Sequence, residues 1–97
     1  MLTKELQPAA VNGILLNQSG DYQFNRSDLK SRPVGISFLN TGSATVTVKI
    51  GGLTFTLLSR QERVLSAPYG FYLKGQADFS FGSTGTPELT ITTIEAL

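Results

Sequence analysis

Apolar and polar residues alternate through residues 34–58, and this run is interrupted by the glycine pair Gly51-Gly52. If the two glycines form a tight turn, the strands on either side pair so that apolar side chains face one another. The predicted pairs are Ile50 with Leu53, Val48 with Phe55 and Val46 with Leu57. Successive side chains of a strand point to opposite faces, so the threonines and Lys49 share the other face. The pattern predicts a β-hairpin with one buried face.

The same two-residue period predicts further short strands before and after this hairpin. They lie at 11–16, 21–25, 34–38, 63–66 and 89–94, with another strand initiated by Pro68. Asn12-Gly13 could form a turn or a bulge within the first of them. A three-residue loop at 75–77 is predicted to set one more pair of strands in register. In that register Leu73 faces Phe79, Phe71 faces Phe81 and Lys74 faces Asp78.

No segment has a helical period long enough for a crossover helix, so the sequence predicts an all-β protein. The expected fold is a single antiparallel β-sandwich or jelly roll of about eight short strands. Residues 1–10 lack a clear period and contain Pro8. We therefore predict an amino-terminal arm at 1–10, disordered on its own and able to become ordered against a neighbour, followed by one domain at 11–97.

The chain carries little charge, which bears on its partners. Charged residues make up 15% of its 97 residues and the net charge is +1, against roughly 25% charged residues in an average domain. We interpret a surface so poor in charge as one that is partly covered by a partner. A small basic cluster, Arg26, Lys30 and Arg32, includes Asp28, which favours a solvated loop over a phosphate or partner site. No strong nucleic-acid signal is present.

The sequence contains no histidine and no cysteine. The common general base, the strongest nucleophile and the usual nitrogen and sulfur metal ligands are therefore missing together. Carboxylate pairs could still hydrolyse a glycoside, but the available residues lie beside predicted turns or the chain end: Glu62, Asp78, Glu88 and Glu95. No acidic spacing typical of a calcium loop occurs. We expect a protein that is not an enzyme and that has no cofactor and no metal site.

Four large side chains fall on the face opposite the predicted core of their own strands. They are Leu15, Leu58, Leu65 and Tyr72. Scattered exposed apolar residues are normal on any protein, which is the simpler explanation. Together with the low charge, however, they predict contacts between subunits, with a closed homo-oligomeric ring as the simplest form.

The tyrosines allow a second interpretation. Tyr22, Tyr69 and Tyr72 could form an aromatic platform for sugars on an exposed face, as in a carbohydrate-binding or adhesion module. Their alternation with other apolar residues favours core or subunit packing instead. No apolar run is long enough for a membrane helix, and no signal peptide is seen.

The segment FLNTGSATVTV at 38–48, with the later Gly51-Gly52 and residues 58–65, resembles β-sandwich modules of bacteriophage structural proteins. Similar patterns occur in bacterial surface and adhesion domains. The resemblance implies a virion component, such as a vertex or penton, head-completion, decoration or fibre-base protein. It also implies partners among its own copies and other virion proteins, and assembly into the virion in the host cytoplasm. It assigns no functional residue.

Overall fold

A computed structural model describes residues 9–23, 33–68 and 73–96. These residues form eight β-strands: β1 (Ala9–Leu16), β2 (Gly20–Gln23), β3 (Pro33–Asn40), β4 (Val46–Ile50), β5 (Leu53–Leu57), β6 (Glu62–Ser66), β7 (Gln76–Phe81) and β8 (Leu89–Ala96). Sheet 1 has the strand order β1-β8-β3-β6, and sheet 2 has the order β2-β7-β4-β5. All strand pairs are antiparallel. The prediction of an all-β sandwich is confirmed.

The strand order is that of a long hairpin rolled into two sheets. In this arrangement β1 pairs with β8, β2 with β7, β3 with β6 and β4 with β5. Pairing of β8 with β3 completes sheet 1, and pairing of β7 with β4 completes sheet 2. This nested pairing of eight strands is the jelly roll. Because of it, the loops at 17–19, 41–45, 58–61 and 82–88 all lie at one end of the sandwich, which we call the loop end.

The central hairpin forms as the alternation predicts. β4 and β5 pair as Val46 with Leu57, Val48 with Phe55 and Ile50 with Leu53. Gly51 has a φ of 56° in the turn, a conformation that is available to glycine without steric cost. Turn geometry and side-chain alternation therefore set the same register.

The core lies between the two sheets and draws on both. Its buried members are Ile36, Phe38, Leu89 and Ile91 from sheet 1, and Val46, Val48, Leu57, Ala77 and Phe79 from sheet 2. Phe55 packs edge-on against Phe38, with ring centroids 5.8 Å apart. The two-residue period of β3, β4, β7 and β8 thus places one row of side chains from each strand in this layer.

A buried asparagine ties the loop end together. Asn40 is fully buried, and its side-chain amide donates to the carbonyl oxygens of Ala44 at 2.8 Å and Leu57 at 3.0 Å. Its side-chain oxygen accepts from the amide of Gly42, and its own carbonyl accepts from the amide of Arg60. The Asn40 side chain, from sheet 1, therefore satisfies backbone groups of the 41–45 loop and of β5 in sheet 2.

Two local predictions are wrong. The Asn12-Gly13 pair forms neither a turn nor a bulge, because β1 runs through it in unbroken register with β8. The loop predicted at 75–77 fails because β7 already begins at Gln76 and has β2 and β4 as its neighbours. Lys49 and Asp21, and not Lys74, lie opposite Asp78. Leu73 donates its amide to the Pro33 carbonyl.

Several predictions lie wholly or partly outside the described residues. They concern the basic cluster between β2 and β3, Phe24, the strand predicted after Pro68 and all but the last two residues of the arm. Those two, Ala9 and Ala10, begin β1.

Candidate interaction surface on sheet 1

The outer face of sheet 2 is polar throughout the described strands. The two-residue period places on it Asp21 and Gln23 of β2, Gln76, Asp78 and Ser80 of β7, Thr47 and Lys49 of β4, and Thr54 and Thr56 of β5. Thr47 and Thr56 form a cross-strand hydroxyl pair at 3.2 Å. Such a face is typical of a sheet that meets water.

The outer face of sheet 1 differs in kind. Its exposed apolar side chains are Leu15 on β1, Val64 on β6 and Ile94 on β8, with exposed fractions of 57%, 57% and 41%. Between them lie Gly13, Gly35, Ser37, Leu39, Thr90 and Thr92. Among the paired residues of this sheet, Glu62 alone carries charge on the outer face, where its carboxylate accepts from the Ser37 hydroxyl at 2.8 Å. Its low charge and exposed aliphatic side chains make this face the candidate interaction surface.

Of the residues that the sequence predicts for a subunit interface, Leu15 lies on this face. It pairs with Thr90 of β8 on the side away from the core. Its neighbour Leu16 pairs with Leu89 and packs against the core. The prediction that Leu15 faces outward is confirmed.

Leu65 does not lie on the outer face, which corrects the prediction for β6. It pairs with buried Ile36 and packs against the core, whereas Val64 pairs with Ser37 and points outward. Val64 and Leu65 are both aliphatic, so alternation alone could not choose between them. The register with β3 decides the matter, because residues paired across two strands share a face.

Leu58 lies away from both sheet faces. It follows β5 in the turn at 58–61 and is 54% exposed at the loop end. Gln61 fixes this turn, because its side-chain oxygen accepts from the amide of Leu58 at 2.9 Å. Tyr72 lies outside the described residues. The other three, Leu15, Leu58 and Leu65, lie on the outer face, at the loop end and against the core, so they do not form one patch.

Arg63 is a surface feature that sequence reasoning missed. It pairs with Phe38 and so points to the inner side of sheet 1. Its guanidinium lies 5.3 Å from the centre of the Phe55 ring, where it forms a cation–π contact across the open side between β6 and β5. The signal in the sequence is its position one residue before Val64, in phase with Leu65.

The carboxylates considered for hydrolysis do not meet in one place. Glu62 lies on the outer face of sheet 1 and Asp78 on that of sheet 2, with the core between them. Glu88 is in the loop before β8 and Glu95 is near the far end of that strand. Among residues 9–23, 33–68 and 73–96, no three acidic, histidine or cysteine side chains are grouped so that they could hold a metal ion.

The described residues also limit the aromatic platform. Tyr22 is half-buried and points inward, where its hydroxyl forms a 2.9 Å hydrogen bond with the Thr93 hydroxyl across the two sheets. It therefore cannot present its ring on an outer sheet face. Tyr69 and Tyr72 lie outside the described residues, so a platform that uses them stays a prediction.

A shallow cleft occupies the loop end beside the 41–45 and 82–88 loops. Its volume is about 660 Å³, and its lining is uncharged: Ser43, Thr45, Gly82, Ser83, Thr84 and Gly85. The amides of Ser43 and Ala44 both donate to the Thr86 carbonyl, so the two loops are joined. Side chains with strong binding groups are missing from this lining, which makes the cleft a weaker candidate than sheet 1.

No family model, no curated protein and no solved structure matches this chain. In the part of the chain that the structure describes, no helix is long and apolar enough to cross a membrane. The outer face of sheet 1 is therefore a candidate interaction surface on the basis of its exposed aliphatic side chains and low charge alone.

Proposed function

We propose that this protein is a non-enzymatic structural component of a phage-like virion, in a vertex or penton, head-completion, decoration or fibre-base position. It acts by assembling with copies of itself and by packing against a larger shell. The outer face of sheet 1 is the surface that packs.

The observation that carries the proposal is the contrast between the two outer faces. Leu15, Val64 and Ile94 expose apolar side chains on sheet 1, and charge is almost lacking around them. A free sandwich is expected to have polar residues on both outer faces, as sheet 2 has. About half of each side chain is still exposed, so burying the rest would contribute about 1 kcal/mol of favourable free energy for each.

The fold adds support at the level of analogy. Jelly rolls of eight strands occur in viral capsid proteins, and they also occur in lectins and cupins. The fold therefore fits a shell component without specifying one. The resemblance of residues 38–48 to phage β-sandwich modules favours the first of these groups.

The test is the composition of purified particles. Virus particles from the organism that encodes this chain would be purified on a density gradient, and their peptides identified by mass spectrometry. We expect peptides of this chain to follow the shell protein through the gradient in a fixed ratio. A chain that stays in the soluble fraction would contradict the proposal, and saturable binding on a glycan panel would then favour the carbohydrate-binding alternative.

A further inference from the structure

The two sheets have four edge strands, and they differ in how they are protected. A strand at a sheet edge turns the N–H and C=O groups of every second residue away from its neighbour, and these groups can pair with another chain. The edges of sheet 1 are β1 and β6, and those of sheet 2 are β2 and β5. Soluble proteins protect such edges with charge, proline, bulges or short length.

Three of these edges carry such protection. β6 begins with Glu62 and points Arg63 inward, and an inward charge opposes the addition of another strand. β5 lies beside the same arginine, which stacks on Phe55. β2 is only four residues long and includes Asp21.

The edge strand β1 has none of these devices. It is eight residues long, its sequence AAVNGILL has no charge and no proline, and its register with β8 has no bulge. At about 3.3 Å per residue it presents an uninterrupted edge roughly 26 Å long. The apolar Leu15 lies on this same strand, so the edge is continuous with the outer face of sheet 1.

The lack of charge also bears on what covers the edge. When a strand pairs with its own copy about a two-fold axis, every charged side chain near the axis meets a like charge. An uncharged strand avoids that repulsion. Pairing with β2 or β6 of another copy would place β1 against a strand that carries charge, and β5, although uncharged itself, has Arg63 stacked on its Phe55. A second β1 is therefore the best-matched occupant.

We propose that β1 of one copy pairs antiparallel with β1 of a second copy, which joins the two sheets 1 into one continuous eight-stranded sheet. This inference rests on the self-assembly in the proposed function and specifies its elementary contact. A two-fold axis perpendicular to the sheet keeps both outer faces on one side, so one residue of β1 must face its own copy. The residues nearest the middle of the strand are Asn12 and Gly13.

The absence of cysteine from the chain gives a direct test, because a single introduced cysteine can form a disulfide only with another copy. Gly13→Cys and Asn12→Cys each place a thiol at one of the two candidate axes. Directly opposed residues of an antiparallel pair have Cα atoms about 4.5–5.5 Å apart, within the range of a disulfide. At Gly13 an added Cβ meets no atom within 4 Å and the φ is ordinary, so the fold tolerates the change.

Val64→Cys is the matched control. Gly13, Thr92, Ser37 and Val64 form one row across sheet 1, so Val64 lies at the opposite edge of the same row. Under mild oxidation we expect one of the two β1 variants to convert mainly to a linked dimer of twice 10.4 kDa, while Val64→Cys stays unlinked. Linkage of neither β1 variant, or equal linkage of Val64→Cys, would overturn the pairing.

Light scattering separates this inference from the proposed function. Gly13→Lys sets two ammonium groups against each other near the axis, and we expect the native mass to fall below that of the unmodified chain at the same concentration. Val64→Lys should leave the pair intact. If Gly13→Lys still associates as the unmodified chain does, β1 pairing is wrong while self-assembly survives. An unmodified chain that is monomeric at every concentration overturns the pairing and removes self-assembly from the proposed function.

Discussion

Sheet 1 and sheet 2 have the same number of strands and face the same core, yet their outer faces differ in chemistry. On sheet 2 the outward positions are hydroxyl, amide and charged side chains, among them Thr54, Thr56 and Ser80. On sheet 1 they include three exposed aliphatic side chains, Leu15, Val64 and Ile94. A shared fold therefore does not account for the difference. Packing of the core constrains only the inward-facing side chains of each strand. The chemistry of the outward-facing side chains therefore depends on the surroundings of each face.

The largest expected effect comes from giving sheet 1 the polarity of sheet 2. The triple variant Leu15→Lys, Val64→Lys and Ile94→Lys should lose the contacts made through this face, because three ammonium groups would have to be desolvated there. We expect the native mass by light scattering to fall, but no lower than that of two chains joined through β1. The free energy of unfolding should change by no more than about 1.5 kcal/mol, at about 0.5 kcal/mol for each exposed position.

The matched control adds the same three charges to sheet 2, as Thr54→Lys, Thr56→Lys and Ser80→Lys. These positions are also exposed, so net charge and exposure are comparable in the two triple variants. Unchanged association is expected here. Equal loss of association in both variants would mean that net charge, and not the face of sheet 1, controls assembly.

The second effect is a loss of stability that leaves both outer faces unchanged. Asn40→Ala removes the donors to the Ala44 and Leu57 carbonyls and the acceptor for the Gly42 amide, all at the loop end. Buried groups left without partners should cost about 2–4 kcal/mol of the free energy of unfolding, measured by urea denaturation. Both outer faces stay as they are, so the folded variant should keep its association.

Thr41→Ala is the control for this change. It removes only an exposed hydroxyl pair with Thr90, at 3.0 Å. We expect a loss below about 1 kcal/mol. If Asn40→Ala costs no more than Thr41→Ala, the bonds of Asn40 do not hold the loop end together.

The sequence predicted what local alternation can decide. In the β4–β5 hairpin the turn glycines and the apolar rows agree, and the register is confirmed pair by pair. The outward direction of Leu15 could be predicted because its neighbour Leu16 packs against the core, and neighbouring residues of a strand point to opposite faces. In β6, Val64 and Leu65 are equally apolar, and only pairing with Ile36 shows which of them is inside.

Features that depend on pairing between distant strands could not be predicted from the sequence. β7 looked like the second strand of a local hairpin, but the nested strand order places it between β2 and β4. Asn40 continues the inward phase of Ile36 and Phe38, and a polar residue in that phase signals a structural role that we did not infer. Arg63 needed its strand's register before its inward direction could be seen.

A third and smaller effect tests whether Arg63 protects the β6 edge of sheet 1, in contrast to the unprotected β1 edge. Arg63→Ala removes the stacking on Phe55 and the inward charge of β6. Stability should fall by about 0.5–1 kcal/mol in urea denaturation, as for a cation–π contact at an exposed site. Because the β6 edge loses its protection, species larger than those of the unmodified chain should form as concentration rises.

Arg63→Lys is the control for edge protection, since it keeps an inward charge but lacks the planar group that stacks. It should lose stability without gaining association. An Arg63→Ala variant whose native mass never exceeds that of the unmodified chain would argue that β6 is protected by something other than this charge.

The smallest effect concerns a residue that belongs to neither face and to no edge. Arg60 has a φ of 69° in the turn before β6, and it is the non-glycine residue with positive φ among the described residues. The left-handed conformation costs an L-residue about 1–2 kcal/mol, and the greater freedom of glycine in the unfolded chain offsets part of the gain on replacement. Arg60→Gly should therefore raise the free energy of unfolding by roughly 0.5–1 kcal/mol, whereas Arg60→Ala, which keeps a Cβ, should not.

The backbone amide of residue 60 still donates to the Asn40 carbonyl in both variants, so neither should alter association. A change in native mass in Arg60→Gly would show that the loop end, and not only sheet 1, contacts another copy.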